Sequence, residues 1–206
     1  MQVRRAEQND IGQLCVTAMR AFAEDPVMRW LYPDDEVYFA PGGAVLRRAM
    51  TGWVTRNEVW CTDDGAALAV WIQPGAPADP SDEPASPPPE DLAERFSIIG
   101  PLLAAHTPVE EHWYLQLLAT HPDWQRNGIA SLLMRPMLER ADADGIACHL
   151  ETETFVNLAF YRRHGFEVES EFDIPTGRHL HRFSSFGADP DAEVGPHMWA
   201  MHRRPG

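Results

Sequence analysis

Long apolar runs are missing from these 206 residues. Nothing approaches the roughly 18 consecutive apolar residues a bilayer span requires, so no membrane association is expected. The start, Met1-Gln-Val-Arg-Arg5, lacks the apolar centre of a secretory signal, which points to the cytoplasm. Cysteine is scarce: Cys15, Cys61 and Cys148 are odd in number, far apart and without CxxC spacing. That excludes a disulfide framework and reads as reduced, buried thiols. Positive charge is short as well, with 17 Lys and Arg against 31 Asp and Glu and a net charge of −14. A general nucleic-acid binder needs a positive field over its footprint and is excluded. An acidic surface suits a cationic small substrate instead. His179 and His181 have no Cys or carboxylate at zinc-like spacing, so no metal is expected. There is no internal repeat.

What remains is ordinary globular material: 44% hydrophobic and 23% charged residues, with seven Trp and nine Phe. The length fits a single domain over 1–206. Val3–Ala6 reads as a short strand. Asp10 is the expected N-cap of a helix whose apolar positions Ile11, Leu14, Cys15, Ala18, Met19 and Phe22 repeat at helical spacing. Glu24-Asp-Pro26 stops it, and Met28–Pro33 reads as an aromatic connection. A helix over Val37–Arg56 is expected to break at Pro41-Gly42-Gly43. Val59–Cys61 and Ala66–Ile72 form a hairpin around Asp63-Asp-Gly65. The stretch at about 74–90 is Pro-rich and polar, and predicts a mobile loop. A helix over Asp91–Ala105 precedes a nearly all-apolar strand at 113–119. A helix from Asn127 to Ala141, a strand at 146–151, a helix over Asn157–His164 and strands at 166–174 and 197–202 complete the pattern, with a loop at 184–195. The fold class is α/β (α+β): a mixed, mostly antiparallel central sheet with one parallel pair, about 113–119 and 146–151, and helices on both faces.

The chemistry concentrates between His112 and Phe166. An apolar strand ends in His121-Pro122, and the loop Gln125-Arg-Asn-Gly-Ile-Ala130 then opens a helix. A strand delivering a small-residue loop to a helix start gathers backbone N–H groups around a phosphate. The loop lacks the Gly-Lys-Ser/Thr ending of the nucleotide phosphate loop and the three-glycine spacing of the dinucleotide fingerprint. It fits Gln/Arg-x-x-Gly-x-Gly/Ala, and about 30 residues later Asn157-Leu-Ala-Phe-Tyr-Arg-Arg-His-Gly-Phe166 fits Asn-x-x-Phe-Tyr-x-x-x-Gly-Phe. Together these blocks resemble the GNAT superfamily of acyl-CoA N-acyltransferases.

That resemblance implies acetyl-CoA as co-substrate, held by Leu118, Ala119, Thr120, Gln125, Arg126, Asn127, Gly128, Ile129, Ala130, Ser131, Asn157 and Phe160. The strand residues would pair with the peptide-like pantetheine arm. The loop N–H groups at a positive helix end would hold the diphosphate. Arg126, Arg162 and Arg163 would add local positive charge. Tyr161 is implied as the general acid toward the departing thiolate. Glu151 and Glu153, two apart and so on one strand face, are alternative general bases, with His121 behind them. Asn157 also suits a helix N-cap. Glu24, Asp25, Trp30 and Tyr32 combine carboxylates and aromatic rings, which makes a cage for an amine. Several stretches, among them Asp63–Trp71 and Ala21–Pro26, look like the branch containing puromycin N-acetyltransferase and its actinobacterial relatives.

The expected function is acetyl transfer to the primary amine of a small molecule, such as an aminonucleoside- or antibiotic-like acceptor. A homodimer fits the same reading. Two alternatives share these features: acetylation of a protein N-terminus or lysine, and a CoA-binding regulator without turnover.

Overall fold

The computed structural model describes residues 1–76, 90–175 and 194–206. Most of the Pro-rich 74–90 stretch, His179, His181 and nearly all of the 184–195 loop lie outside the described residues. No described helix is long and apolar enough to cross a membrane.

The chain starts with β1 (Val3–Arg5), a 3-10 turn (Gln8–Asp10) and α1 (Ile11–Ala21). Asp10 stands at the N-cap position of α1, as expected, but its side chain makes no cap bond to that helix. It sits inside the turn with helical backbone (φ −80°, ψ −23°). Its carboxylate accepts from the Glu7 N–H at 2.8 Å and from the Arg4 guanidinium at 2.7 and 2.8 Å. The segment expected as an aromatic connection is instead α2 (Pro26–Leu31). Asp25 is its N-cap, accepting from the Met28 N–H at 2.8 Å, and Pro26 fills the first position, where its missing N–H costs nothing. The expected break at Pro41-Gly42-Gly43 is also absent. A short α3 (Asp35–Val37) widens into a π-helical turn at Tyr38–Gly42 and continues as α4 (Gly43–Arg56).

β2 (Glu58–Thr62) and β3 (Ala67–Ile72) form the expected hairpin. Gly65 turns it at φ +68°, where a Cβ would stand 2.6 Å from the Gln13 side chain. Then follow α5 (Glu90–His106), β4 (His112–Thr120), α6 (Ile129–Asp144), β5 (Ala147–Thr152), α7 (Phe155–Arg162), β6 (Glu167–Pro175) and β7 (Val194–Arg203). They build one seven-stranded sheet in the order β1-β2-β3-β4-β5-β7-β6. Its parallel pair is β4 with β5; all other neighbours are antiparallel. The crossover between the parallel strands is α6, as the strand–helix–strand alternation requires.

One face of the sheet carries α6 and α7. There Leu133, Met134, Met137 and Leu138 pack on Ala67, Ala69, Trp71, Trp113, Leu115, Cys148 and Leu150. Burying each Leu or Met removes about 2 kcal/mol of apolar exposure from water, so this face anchors the fold. The opposite face holds two separate cores. α1 and α4 cover β2 to β4 around Leu14, Met50, Leu68 and Val70, while α2 and α5 cover β6 and β7 around Leu31, Ile99, Ile174 and Ala200.

β4 and β5 pair only at their beginnings, through His112 with Ala147, Trp113 with Cys148 and Tyr114 with His149. On its other side β4 follows β3 to Thr120, with a bulge that skips Gln116. The strands therefore part beyond Tyr114, and the cleft opens between the two cores.

Candidate active site

One wall of the cleft is the second half of β4. The His121 N–H donates to the Ala66 carbonyl at 2.8 Å, so that residue faces β3. Backbone polar groups alternate along a strand, so Ala119 also faces β3 while Leu118 and Thr120 turn theirs to the open side. The Gln125 amide confirms that direction by donating to the Thr120 carbonyl at 3.1 Å. Leu118 is thus left with strand-type donor and acceptor groups for an extended guest.

The loop beyond the strand is a solvent-facing turn. His121 accepts from the Asp123 N–H at 3.4 Å and so shapes the His-Pro corner. The Asn127 amide donates to the carbonyls of Trp124 and Gln125, both at 3.2 Å. Arg126 takes φ +63° and Gly128 φ +76°, two left-handed residues that swing the chain into α6. Only glycine takes that conformation without strain, which is the physical reason for Gly128. Residues 122–128 are all exposed. The N–H groups of Ile129, Ala130 and Ser131 open a 16-residue helix and have no acceptor within it, since its first bond runs from the Leu132 N–H to the Gly128 carbonyl. They form a donor cluster at the positive end of the dipole. The Ser131 hydroxyl meets His164 Nε2 at 2.9 Å, tying this turn to the residues that follow the exposed pair Arg162 and Arg163.

The other wall comes from β5 and α7. Asn157 is the third residue of α7, so it does not serve as the N-cap. Its amide instead donates to the buried Thr152 hydroxyl at 3.2 Å, fastening the helix to the strand end. Phe160 packs edge-on to Tyr161 and to His164, at 5.2 and 4.8 Å between ring centres. Tyr161 is buried and faces the cleft; burial, then the nearby Glu153 charge, push its phenol well above the usual range.

Between the walls a cavity of about 790 Å³ runs from Tyr161 and β5 into the gap between the two cores. Its lining is mostly apolar, from α1, α2, α4 and α5, and includes Tyr32 and Tyr38. The carboxylates Asp25, Glu151 and Glu153 line it, and no described arginine does. The Glu151 side chain is nearly buried; it accepts from the Tyr114 hydroxyl at 2.7 Å and lies 3.0 Å from His149 Nε2. Glu153 is hydrogen-bonded to Asp25, and burial together with that neighbour drives its carboxyl far above the usual carboxylate range.

Of the residues expected to form the amine cage, the structure brings Asp25 and Tyr32 to the cavity. Glu24 is exposed at the end of α1, away from the lining. Trp30 is packed in the α2–α5 core, where Arg95 stacks on its ring and bonds its carbonyl. Tyr114 and His149, which hold Glu151, carried no motif. A pattern search could have found them only by noting that Tyr114 and His149 are each the third residue of a strand of the parallel pair.

Residues 94–168 match the family model of the acetyltransferase (GNAT) domain. Among solved structures, arylalkylamine N-acetyltransferase 2 of Aedes aegypti is similar over 100% of this chain and 99% of its own, at 14% identity and a TM-score of 0.68. A Corynebacterium glutamicum protein described as histone acetyltransferase HPA2 and related acetyltransferase is similar over 100% and 96%, at 23% identity and a TM-score of 0.63. A PaiA N-acetyltransferase of Thermoplasma acidophilum, solved in complex with coenzyme A, covers 98% of each chain at 13% identity and a TM-score of 0.54. A curated relative, a probable serine/threonine-protein kinase of Dictyostelium discoideum, is 38% identical over 72 residues, 32% of this chain but only 9% of the relative's length. The matching residues carry both strands of the cleft and the loop between them, so residues 94–168 resemble a GNAT acetyltransferase domain, and the fold is shared end to end with acetyltransferases of known structure.

Proposed function

We propose that this protein is an acetyl-CoA-dependent N-acetyltransferase acting on the primary amine of a small molecule with an apolar or aromatic body. The observation that carries the reading is the cavity: about 790 Å³, mostly apolar, with three carboxylates and no described arginine in its wall. That volume is typical of small-molecule sites. Acidic groups at the end of an apolar hole select an ammonium on an apolar body. The Aedes neighbour's name, an arylalkylamine acetyltransferase, supports the same substrate class. An aminonucleoside fits it too.

Acetyl-CoA would lie in the cleft. Its diphosphate would rest on the N–H groups of Gly128 to Ser131, beside Arg126, with its pantetheine arm along Leu118 and Thr120 and its thioester near Tyr161. Gln125 and Asn127 act on the coenzyme indirectly, by holding the loop. The ammonium first gives a proton to Glu151. The free amine then attacks the thioester carbon, forming the C–N bond. As the C–S bond breaks, the nitrogen gives up its surplus proton, which returns through water to the Tyr161 oxygen once that group has protonated the sulfur. The leaving sulfur takes its hydrogen bond, and then its proton, from the Tyr161 hydroxyl. A phenol this strongly raised donates poorly to a thiolate in water, where thiols sit near 8.5. The burial that raises the phenol also penalises the thiolate forming beside it, which narrows the gap. Burial beside Asp25 keeps Glu153 protonated, so it can accept a hydrogen bond from the ammonium without adding a buried anion.

The test is release of free thiol from acetyl-CoA across a panel of arylalkylamines, aminonucleosides and peptides with free N-termini. Turnover with small amines is expected. Turnover with peptides alone would replace this reading with protein acetylation, and tight coenzyme binding without turnover on any amine would leave a regulator.

A further inference from the structure

Behind the cleft, on the same sheet face, stands a row of polar rings. Tyr114, His149 and His202 are successive register partners on β4, β5 and β7, so their side chains share one face. The rings of His149 and His202 are 6.4 Å apart between centres. On β6, Glu167 stands opposite His202, and the ladder then slips between Val168 and Ser170, inserting Glu169 as an extra residue. A bulge of this kind re-aims a side chain. One nitrogen from each of His149 and His202 and a carboxylate oxygen of Glu169 lie within 4.8 Å of one another.

A second observation points to what these atoms hold. His149 is completely buried, and its Nε2 is committed to Glu151 at 3.0 Å. A proton on that nitrogen leaves Nδ1 as a bare lone pair, and this atom is buried without a partner. Nδ1 of His202 is likewise buried and unpartnered. Leaving such groups desolvated is unfavourable, and a cation would satisfy both together with the carboxylate.

We propose that His149, His202 and Glu169 form a binding site for a divalent transition ion of the zinc class, with Glu151 as the carboxylate that orients His149. Two imidazoles and a carboxylate suit zinc and its neighbours, whereas magnesium and calcium demand mostly oxygen. A carboxylate on the far nitrogen of a liganding histidine is the usual outer support of such sites. Tetrahedral zinc keeps its ligand atoms roughly 3.4 Å apart, so the three atoms close by at most about 1.4 Å on loading. Glu169 is exposed and His202 half-buried, so both can rotate to meet the ion, and water takes the fourth position. The site stands independently of the acetyl-transfer reading. It borders the cavity through Glu151 and Tyr114: an ion on Nδ1 fixes His149 as a donor to the Glu151 carboxylate.

Chelator-treated protein would be titrated with zinc sulfate by calorimetry near neutral pH, and metal counted after desalting. One ion per chain is expected. His202→Gln and Glu169→Gln, shown folded by circular dichroism, should each weaken binding at least about tenfold. The double variant His179→Ala/His181→Ala should bind as the wild type does. Cobalt loading should give the intense visible bands of a tetrahedral site, lost in His202→Gln. Absence of zinc binding would overturn the proposal, as would binding indifferent to both His202→Gln and Glu169→Gln, or binding abolished by the His179/His181 double variant.

Discussion

The two ends of the cleft are built in opposite ways. The proposed coenzyme end is backbone: N–H groups after Gly128 that have no acceptor inside the helix, strand edges at Leu118 and Thr120, and side chains such as Gln125 and Asn127 that bond the strand end and their own loop. The proposed acceptor end is side chain: an apolar hole between two cores, with Asp25, Glu151 and Glu153 brought from the start of α2 and the end of β5. A backbone site tolerates most substitutions but not a change of conformation. A side-chain site can be altered group by group.

The sharpest break of this contrast is Gly128→Glu. Left-handed strain of roughly 1–2 kcal/mol, with a carboxylate set against a diphosphate, should weaken coenzyme binding about 10²-fold or more. Calorimetry with CoA measures it, and unchanged affinity in the folded variant would remove the loop from the coenzyme site. On the acceptor side, Glu151→Gln and Tyr161→Phe should each lower kcat roughly 10²-fold, the usual scale for one acid–base group, with CoA affinity barely moved. If Tyr161→Phe keeps near-normal kcat, the ring only packs against the thioester.

A pH experiment separates Glu153 from Glu151. The folded state holds the Glu153 proton up to about 9, whereas an unfolded chain releases it near 4.5. The native state thus binds more protons in that window, and this group's contribution to stability declines as pH rises through it. Glu153→Gln, which mimics the protonated form, should flatten the fall in Tm between these limits and raise Tm at the alkaline end. An unaltered slope would mean Glu153 is ionised in the fold. The smallest effect is expected for Arg126→Gly: relief of its left-handed strain should raise stability by about 1 kcal/mol. The lost charge should weaken CoA binding only a few-fold, measured by melting and calorimetry in low and high salt.

The same division sets what could be read from sequence. Strand, loop and helix around Gly128 are local in the chain, so periodicity and the glycine position carried them. The parallel pair followed from one strand–helix–strand alternation. The helix at Pro26–Leu31 was missed because only six residues form it, and the cap and proline that start it looked like stop signals. The π turn at Tyr38–Gly42 was missed because Pro-Gly-Gly reads as a break, and only tertiary packing decides otherwise. Aromatic rings at 30 and 32 look alike in sequence, yet Trp30 serves a core and Tyr32 the cavity. The meeting of Asp25 with Glu153, and of Tyr114 and His149 with Glu151, joins residues far apart in the chain. No local pattern encodes such contacts.

The three cysteines have a practical consequence. Cys15, Cys61 and Cys148 are all buried, and burial holds the last two up at about 11 and about 12. The reactive form of a thiol is its anion, so the folded protein is nearly silent toward thiol-specific dyes. Its sequence contains no lysine either, which leaves the N-terminal amine as the one place where stray acetyl groups could land on an amine of the protein itself. In a colorimetric assay, then, each new sulfhydryl reports coenzyme released, and each new amide, the N-terminal amine aside, reports acceptor consumed.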